Sequence, residues 1–304
     1  MNPKTSVLMP VYNVGNYVEK AIRSVLSQTE TDLELIVIND GSTDDTLSVI
    51  QTIHDERIHL FSIENHGVSF ARNMALDKAA GNYLMFVDGD DYLEPHILAD
   101  CMAMMEKRSC DIVTFGYIRE GKYLHLRSRC SRWPILTGKE AVRALVQEQG
   151  IDNYLWGKLY KKECFDGIRF PEQKDSFEDA YTSYRVLLNA ERVGCLHEYG
   201  YHYRVGRSGS LTNHMDYDRV SEMRESFRYQ ERALKKLFPD DDFQFDRQYC
   251  NADLYLMSLL VFRPSASQGS EFRPSPIRWQ YVPVSRKIAY QLLQEALKIK
   301  TKRK

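Results

Sequence analysis

Apolar runs and amphipathic stretches alternate along the first third of this 304-residue chain. Short apolar runs at 5–9, 33–38 and 58–63 predict strands, and the apolar positions between them recur at helical spacing. The run at 83–87 predicts a buried parallel strand, because neither of its faces shows polar alternation. Strands that alternate with helices predict an α/β fold, in which a mostly parallel central sheet is flanked by helices.

The pattern loosens after about residue 110. Apolar runs predict further strands, the first two of them antiparallel, at 112–115, 123–126 and 193–203. Amphipathic spacing predicts helices at 137–146, 177–188, 218–237, 245–262 and 285–299. The prolines between 263 and 284 indicate a linker or a wrapped arm. We therefore expect a first half at 1–110, a second half at 111–215 and a C-terminal helical extension at 216–304.

Charge and cysteine content narrow the function classes and the compartment. Lys and Arg number 41 while Asp and Glu number 42, so the net charge of −1 gives no general attraction to nucleic acid. None of the six cysteines forms a Cys-x-x-Cys pair, which argues against a zinc or redox motif and for a reducing cytoplasm. The longest apolar run, at 254–262, is too short to cross a bilayer. We expect a cytoplasmic protein, either soluble or peripheral on the inner face of the cell membrane.

Three carboxylates and a glycine follow the run at 83–87, in the order Asp88, Gly89, Asp90 and Asp91. Ligands bind beyond the carboxyl ends of parallel strands, so these acids should lie at the edge of a cleft. Like charges packed there cost free energy unless a cation binds, and carboxylate oxygens suit Mg²⁺ or Mn²⁺ together with phosphate oxygens. The alternative is an acidic turn before a helix, where Asp is common and where Asp91 would cap the helix.

Polar motifs also follow the other predicted strands. Pro10 and Tyr12 end the first strand, the segment 39–44 ends the second, and the segment 65–73 follows the third. Because the carboxyl ends of parallel strands meet at one edge of a sheet, these segments should converge with the acidic turn. That convergence favours a site for a metal and a diphosphate over an ordinary acidic turn.

Together these motifs resemble the inverting glycosyltransferase family 2, whose catalytic domain has the Rossmann-like GT-A fold. The family pattern is Pro-x-Tyr-Asn, Asp-Asp-Gly-Ser-Thr-Asp, Gly-x-Ser-x-Ala-Arg-Asn and Asp-x-Asp-Asp, in that order. The chain matches this pattern at 10–13, 39–44, 67–73 and 88–91. Asn39 replaces the first Asp of the second motif. The match is close over residues 4–110 and weaker to about 215.

The resemblance implies an enzyme that moves a sugar from a nucleotide-sugar, expected to be a UDP-sugar, to a hydroxyl of a glycan or lipid-linked acceptor. Transfer would proceed by direct displacement with inversion, assisted by Mn²⁺ or Mg²⁺. A nucleotidyl- or phosphoryl-transfer enzyme should instead carry a Gly-x-x-x-x-Gly-Lys loop, which the sequence lacks. The alternative is a catalytically silent glycan- or nucleotide-binding protein on the same fold, expected to have lost Asp88, Asp90 or Asp179.

The resemblance assigns roles on the donor side. Asp40 would accept a hydrogen bond from the imide N–H of uracil, since a carboxylate only accepts, or would form an Asx turn. Pro10 and Tyr12 would line the base and ribose pocket, where Tyr12 offers a stacking face, or would simply pack at the strand end. Asp88 would hold the ribose or help order the metal, and Asp90 would coordinate the metal.

Further roles concern the acceptor, the phosphates and the metal. Asp179, beside Glu178, would be the general base that takes the proton of the acceptor hydroxyl, whereas the alternative is two acids that complement a helix dipole. Arg72 would contact a phosphate or pair with an acid of the acidic turn. His202 would be a further metal ligand or a packed, hydrogen-bonded histidine. Trp156 would lie under an acceptor sugar or in the core.

The segment after residue 200 resembles one near the end of the catalytic domain in many relatives. Gly206 and Gly209 make it a predicted mobile flap over the donor. Arg204 or Arg207 would then clamp phosphate oxygens.

The C-terminal segment 286–304 is basic and amphipathic. It holds seven basic residues against one acid, Glu295. Its apolar residues fall near one face of the predicted helix: Ile288, Leu292, Leu293, Ala296 and Ile299. Such a helix can lie on an anionic membrane leaflet, which would suit a lipid-linked acceptor. The alternative is a solvated tail on a helix that packs against the protein.

Overall fold

A computed structural model describes residues 4–121, 125–174, 176–206, 215–262 and 272–301. The chain forms two compact units. The first comprises Met1–Val142 and Gln149–Ser210, and the second comprises Arg143–Glu148 and Leu211–Lys304. The domain border expected near residue 110 falls inside the first unit. The border expected near residue 215 lies close to residue 211, where the longer of the two segments of the second unit begins.

The first unit is an α/β domain, as the alternating pattern predicts. Its strands are β1 Thr5–Val11, β2 Leu33–Asp40, β3 Ile58–Ile63, β4 Tyr83–Phe86, β5 Tyr92–Leu93, β6 Ile112–Glu120, β7 His125–Ser128, β8 Ile135–Leu136, β9 Lys158–Lys161 and β10 Val193–Arg204. Its helices are α1 Gly15–Leu26, α2 Thr46–Gln51, α3 Val68–Lys78, α4 Ile97–Arg108, α5 Gly138–Val146 and α6 Glu178–Leu188, of which α5 continues into the second unit. The expected central sheet flanked by helices is confirmed.

The strand order brings distant segments to one edge of the sheet. The order is β3-β2-β1-β4-β9-β6-β10-β5, with β7 beside β6 and β8 beside β10. The strands β1 to β4 are parallel. Because β9 is antiparallel to both β4 and β6, β6 has the direction of β4, and β10 is parallel to β6. The carboxyl ends of β1–β4, β6 and β10 therefore lie at the same edge of the sheet, which we name the carboxyl edge.

The mostly parallel pairing expected of the sheet holds for its first half. In the second half β9 runs antiparallel, and β5 pairs antiparallel with β10. The antiparallel pair expected at 112–115 and 123–126 corresponds to β6 and β7, although residues 123 and 124 lie outside the described residues. The helix expected directly after Asp91 is wrong, because β5 follows that residue and α4 begins at Ile97.

The core of the first unit explains why the leading strands lack polar alternation. Every residue of β2 is buried, and so are most residues of β1. One side of these strands packs against Val18, Ile22 and Val25 of α1. Complete burial of an aliphatic side chain of this size contributes about 1.5–3 kcal/mol. The sheet is therefore a rigid platform for the polar residues at its carboxyl edge.

The second unit is helical. The helices α7 Tyr217–Leu237, α8 Asp246–Phe262 and α9 Val284–Thr301 agree with those predicted from the sequence. Tyr290 and Leu293 of α9 pack with Cys250 and Met257 of α8. Residues 263–271 of the expected linker lie outside the described residues. In the described ranges, no helix is both long enough and apolar enough to cross a membrane.

The outward side of α9 carries apolar residues as well. Val284, Ile288 and Leu292 follow one another at intervals of four residues, which places them on one side of a helix. Leu292 is 68% exposed, and Ile288 and Ile299 are more than half exposed. The single apolar face predicted from the sequence is therefore wrong, because Leu293 packs inward while Leu292 faces solvent.

Candidate active site

The acidic turn lies at the carboxyl edge, directly after β4, and β10 holds it in place. The hydroxyl of Tyr201 accepts a hydrogen bond from the backbone N–H of Asp88 (3.1 Å) and donates one to Oδ2 of Asp91 (2.9 Å). The backbone N–H of Arg204 donates to Oδ1 of Asp91 (2.8 Å). Asp91 is fully buried, and it is not a helix cap because α4 begins at Ile97. Its two carboxylate oxygens are taken up by Tyr201 and Arg204.

Gly89 separates the two half-buried acids of this turn. A Cβ atom at Gly89 would lie 2.5 Å from Cγ1 of Val11, so a larger residue would displace the turn from β1. The side chain of Arg204 fixes the next residue, because its Nη1 donates to the backbone carbonyl of Asp90 (2.7 Å). Arg204 thus contacts the turn directly, while Arg207 and Gly209 lie outside the described residues.

Arg72 links the acidic turn to the helix that carries the predicted base. Its Nη1 donates to Glu178 and to Oδ1 of Asp179 (2.9 Å), the first two residues of α6. Its Nη2 lies 3.5 Å from Oδ1 of Asp88. The side chain of Arg72 is only 6% exposed. Of the two roles expected for Arg72, pairing with acids is therefore the one that the contacts support.

Charge at this centre is unbalanced, because one guanidinium faces three carboxylates. Burial raises the pKa of Asp179 above its ordinary value, although the positive charge of Arg72 opposes the shift. Burial likewise raises the pKa of Asp88; Arg72 again opposes the shift, and the neighbouring charge of Asp90 adds to it. Excess negative charge at a half-buried strand end is a setting that a divalent cation would stabilise.

A metal ion fits this donor set only in part. Asp88 and Asp90 offer hard oxygen ligands, and both are half-buried. No cluster of three His, Cys, Asp or Glu side chains that could hold a metal occurs among the residues that the structure describes. Mg²⁺ commonly takes one or two protein carboxylates and completes its shell with water and substrate phosphates. The acidic turn suits that mode of binding and does not suit a site built from protein ligands alone.

The predicted donor residues also lie at the carboxyl edge. Asp40 is buried, and its two carboxylate oxygens accept hydrogen bonds from the backbone N–H groups of His66 (2.8 Å) and Gly67 (2.9 Å). Asp40 therefore orders the loop before α3, and its contact with uracil stays a prediction. Tyr12 is 47% exposed, and Pro10 is half-buried. The ring of Tyr12 is thus accessible to a base.

His202 lies on β10 between two carboxylates. Its Nε2 is 2.7 Å from Oε1 of Glu94, and its Nδ1 is 3.0 Å from Oε1 of Glu120. Its ring stacks on Tyr92 at a centroid distance of 4.1 Å. Both ring nitrogens therefore have hydrogen-bond partners, which supports the packed histidine of the two alternatives, and its role as a metal ligand stays a prediction.

A stack of three aromatic rings supports Tyr201. Trp156 lies between Tyr154 and Tyr201, at centroid distances of 4.3 and 4.4 Å and with nearly parallel planes. Only 4% of Trp156 is exposed, so packing in the core is confirmed and stacking under a sugar is wrong. The sequence reasoning missed the link from this stack to the acidic turn. The alternation of Tyr199, Tyr201 and Tyr203 along one strand is the signal that could have indicated it.

The comparison with family models gives one match. The model described as Glycosyl transferase family 2 matches residues 6–169. Glycosyltransferase GlyA of Streptococcus pneumoniae serotype 4 is 34% identical over 223 residues, which are 70% of this chain and 32% of GlyA. The chain thus spans about a third of the length of that relative.

Solved structures with the same fold contain nucleotide sugars. The structure of S. aureus TarS 1–349 in complex with UDP-GlcNAc aligns with a TM-score of 0.64 and 22% identity, over 95% of this chain and 79% of TarS. The mannosyltransferase PcManGT from Pyrobaculum calidifontis, in complex with GDP-Man and Mn²⁺, aligns with a TM-score of 0.59 and 16% identity, over 99% of this chain and 87% of PcManGT. At these identities the two neighbours establish the fold.

Proposed function

The chain belongs to glycosyl transferase family 2, and from that membership we propose that it transfers one sugar from a UDP-sugar to a hydroxyl of a glycan or lipid-linked acceptor, with inversion and with Mn²⁺ or Mg²⁺. The observation that carries the proposal is the position of Arg72. It joins Asp179, at the start of α6, to Asp88, at the end of β4. This link supports the assignment of Asp179 as a proton acceptor and of the acidic turn as a metal site that serve the same substrate.

In the proposed reaction Asp179 accepts the proton of the acceptor hydroxyl while that oxygen attacks the anomeric carbon. A positioned base of this kind contributes about 10²–10⁴-fold to the rate. The pairing with Arg72 holds the carboxylate in place and opposes the effect of burial on its pKa. A metal bound at Asp90 would stabilise the negative charge of the departing diphosphate. Glu178 shares Arg72 and so orients the guanidinium.

In the proposed donor site, Tyr12 stacks on the uracil ring, Pro10 lines the pocket and Asp40 accepts the imide N–H. The exposure of Tyr12 and the position of all three residues at the carboxyl edge support this assignment. TarS, which shares the fold, was solved with UDP-GlcNAc, and PcManGT was solved with Mn²⁺. These neighbours make UDP-GlcNAc and Mn²⁺ the first probes to use.

Calorimetry of donor binding tests the proposal. The intact protein should bind UDP-GlcNAc or another UDP-sugar in the presence of Mn²⁺, and EDTA should weaken that binding. Asp90→Ala should lower the Mn²⁺-dependent affinity about 10- to 100-fold, in line with the loss of a metal-site residue. Asp166→Ala is the matched control, because Asp166 is exposed and follows β9, which ends at the opposite edge. Unchanged affinity in Asp90→Ala would remove the metal role of that residue.

Measuring UDP release from the same samples distinguishes the proposed transferase from the catalytically silent alternative. A silent protein would bind the nucleotide sugar and release no UDP over hours, with or without acceptor glycans. The proposed transferase releases UDP slowly by hydrolysis and faster with its acceptor. Asp179 and Asp88 are joined through Arg72, and Asp90 lies close enough to Asp88 to raise its pKa, and the presence of all three acids supports the transferase.

We also propose that α9 places the enzyme on an anionic membrane surface, in a cytoplasmic, peripheral position. The exposed stripe of Val284, Ile288 and Leu292 supports this, together with the surplus of basic residues in 286–304. The double variant Ile288→Ser/Leu292→Ser should pellet less with phosphatidylglycerol vesicles than the unaltered protein. Leu237→Ser, which changes a leucine that is 58% exposed on α7, is the control. Equal pelleting of all three proteins would exclude the anchor.

A further inference from the structure

Three exposed arginines lie on β7 and in the segment that follows it. They are Arg127 on β7 and Arg129 and Arg132 in the segment after it, and we name them the arginine strip. Side chains alternate between the two sides of an extended chain, so Arg127 and Arg129 lie on one side. Arg119 on β6 is paired with Leu126, so its side chain projects from the opposite side of the β6–β7 strand pair.

Aromatic rings support the arginine strip and leave its charge available. The guanidinium of Arg127 lies 5.2 Å from the ring centre of Tyr199, and Nε of Arg129 donates to the hydroxyl of the same tyrosine (2.8 Å). The guanidinium of Arg132 lies 4.2 Å from the ring centre of Trp133. Within the described ranges these contacts are made to rings and a phenol rather than to carboxylates. A guanidinium stacked on a ring keeps N–H donors at its edge for an anion.

The arginine strip begins near the candidate active site. Arg127 is paired with Ile118, two residues before the end of β6, and Glu120 at that end is paired with Arg204 of β10. Arg204 in turn donates to the backbone carbonyl of Asp90. The strip then leads away from the carboxyl edge, because β8 pairs with the first residues of β10. A linear ligand lying on the strip would therefore have one end near the acidic turn.

We propose that the arginine strip binds an acceptor chain that carries repeated anionic groups, either phosphates or carboxylates. This inference rests on the proposed glycosyl transfer, since it names the class of acceptor for that same site. Arginines that follow one another along the chain match a linear polyanion better than a single small anion, which would need them to converge. In this proposal the strip holds the chain, and the end of the chain lies at the carboxyl edge, where Arg72 links Asp179 to the acidic turn.

Fluorescence anisotropy with a labelled inorganic polyphosphate, and separately with labelled polygalacturonate, tests the proposal on the intact protein. The triple variant Arg127→Gln/Arg129→Gln/Arg132→Gln should raise the Kd for at least one of the two polyanions by 10-fold or more. The slope of log affinity against log salt concentration should decrease in magnitude by about 2 in this variant. Each of the three lost contacts with a flexible polyanion is expected to contribute roughly 0.7 to that slope. Neutral dextran should not compete.

Matched control variants distinguish an effect of the arginine strip on binding from an effect of the net charge of the protein. The triple variant Arg23→Gln/Lys107→Gln/Arg108→Gln removes the same charge from exposed positions on α1 and α4 and should change the Kd less than 2-fold. Arg119→Gln, on the opposite side of the β6–β7 strand pair, should have a smaller effect than Arg127→Gln. Thermal unfolding of every variant should match that of the unaltered protein, because all these arginines and lysines are exposed.

Each result decides the proposal. A strip-specific loss of polyanion binding supports it, and the preferred probe separates phosphate from carboxylate chemistry. Equal losses in both triple variants, or no polyanion binding by the unaltered protein, overturn it. A strip-specific loss seen only with phosphatidylglycerol vesicles also overturns it, because the strip would then face a lipid surface. Calorimetry with UDP-GlcNAc and Mn²⁺ is run on the same samples, so a failure of the proposed transferase function is detected independently.

Discussion

Two buried arginines, one in each unit, form networks of opposite character. Arg72 in the first unit faces three carboxylates, so its network carries surplus negative charge. Arg224 in the second unit pairs with Asp253, which is fully buried. Asp253 also accepts hydrogen bonds from the N–H and hydroxyl of Ser275 (2.7 Å each) and from the hydroxyl of Tyr290 (3.2 Å).

The difference shows what each network is for. Around Asp253 one guanidinium balances one carboxylate, whose oxygens also accept hydrogen bonds from Ser275 and Tyr290, and such a network stabilises a fold. Around Arg72 the acids outnumber the cation, and burial raises the pKa of two of them. Surplus charge of this kind lowers stability and is retained where a substrate or a cation completes the site. Substitutions of single groups in each network test this difference.

The largest expected effect is on catalysis. Asp179→Asn should lower the rate of UDP release from the bound nucleotide sugar about 10²–10⁴-fold, because the proton acceptor is lost. Donor affinity should stay nearly unchanged, which calorimetry checks. Glu178→Gln is the control, since it alters the neighbouring acid of the same Arg72 network. Release at the native rate by Asp179→Asn would show that Asp179 is not the base.

The second unit should respond to the opposite kind of change. Asp253→Ala leaves Arg224 buried without its carboxylate, and breaking a buried pair in this way costs about 3–5 kcal/mol of stability. Urea denaturation followed by the far-UV signal measures the loss. Asp242→Ala, which removes one of the two carboxylates that pair with Arg278 and leaves Asp246 in place, should cost under about 1 kcal/mol. Similar losses in the two variants would contradict the structural role of Asp253.

A smaller effect is expected from the support of the acidic turn. Tyr201→Phe keeps the ring in its aromatic stack and removes the hydroxyl that contacts Asp88 and Asp91. Two buried polar groups lose a partner, which should cost about 1–3 kcal/mol and weaken Mn²⁺-dependent donor binding. Tyr203→Phe, on the same strand, is the control. If Tyr201→Phe loses no stability, the turn does not depend on this hydroxyl.

The smallest effect concerns pH. Because burial raises the pKa of Asp179 to about 8, most folded molecules between about pH 4 and pH 8 hold a proton on Asp179 that the unfolded chain has already released, and the remaining molecules carry the carboxylate that acts as the base. The resulting stability is complete below an ordinary carboxyl pKa of about 4 and is lost as pH rises through the raised value. The Tm of Asp179→Asn should therefore exceed that of the unaltered protein by roughly a few degrees near neutral pH, and the difference should vanish near pH 4. A constant difference would contradict the raised pKa.

Local patterns in the sequence were sufficient to predict the strands and helices of the first half of the fold. Each leading strand is an apolar run, and each is followed by a polar motif, so the convergence of Tyr12, Asp40 and Asp88 at one edge follows from parallel pairing alone. The antiparallel insertion of β9 carries no such signal. This strand is only four residues long, Lys158–Lys161, and its partner strands β4 and β6 lie far away in the sequence.

Side-chain partners were harder to predict than positions. Arg72 contacts Glu178 and Asp179 across more than a hundred residues, and the sequence alone left a phosphate and an acid as equal candidates. On α9, hydrophobic spacing identified the apolar residues but not which of them are covered, because Leu292 and Leu293 are equally apolar. Only the packing of α8 against the helix decides between them.

The stacked position of Trp156 makes this tryptophan an intrinsic fluorescence probe of the acidic turn. The other two tryptophans, Trp133 and Trp279, are 45% and 39% exposed, so a soluble collisional quencher such as iodide reaches them first. The remaining emission comes from an indole that rests on Tyr201, whose hydroxyl contacts the acidic turn. Cation or nucleotide titrations can therefore be followed by native fluorescence, without attaching a dye.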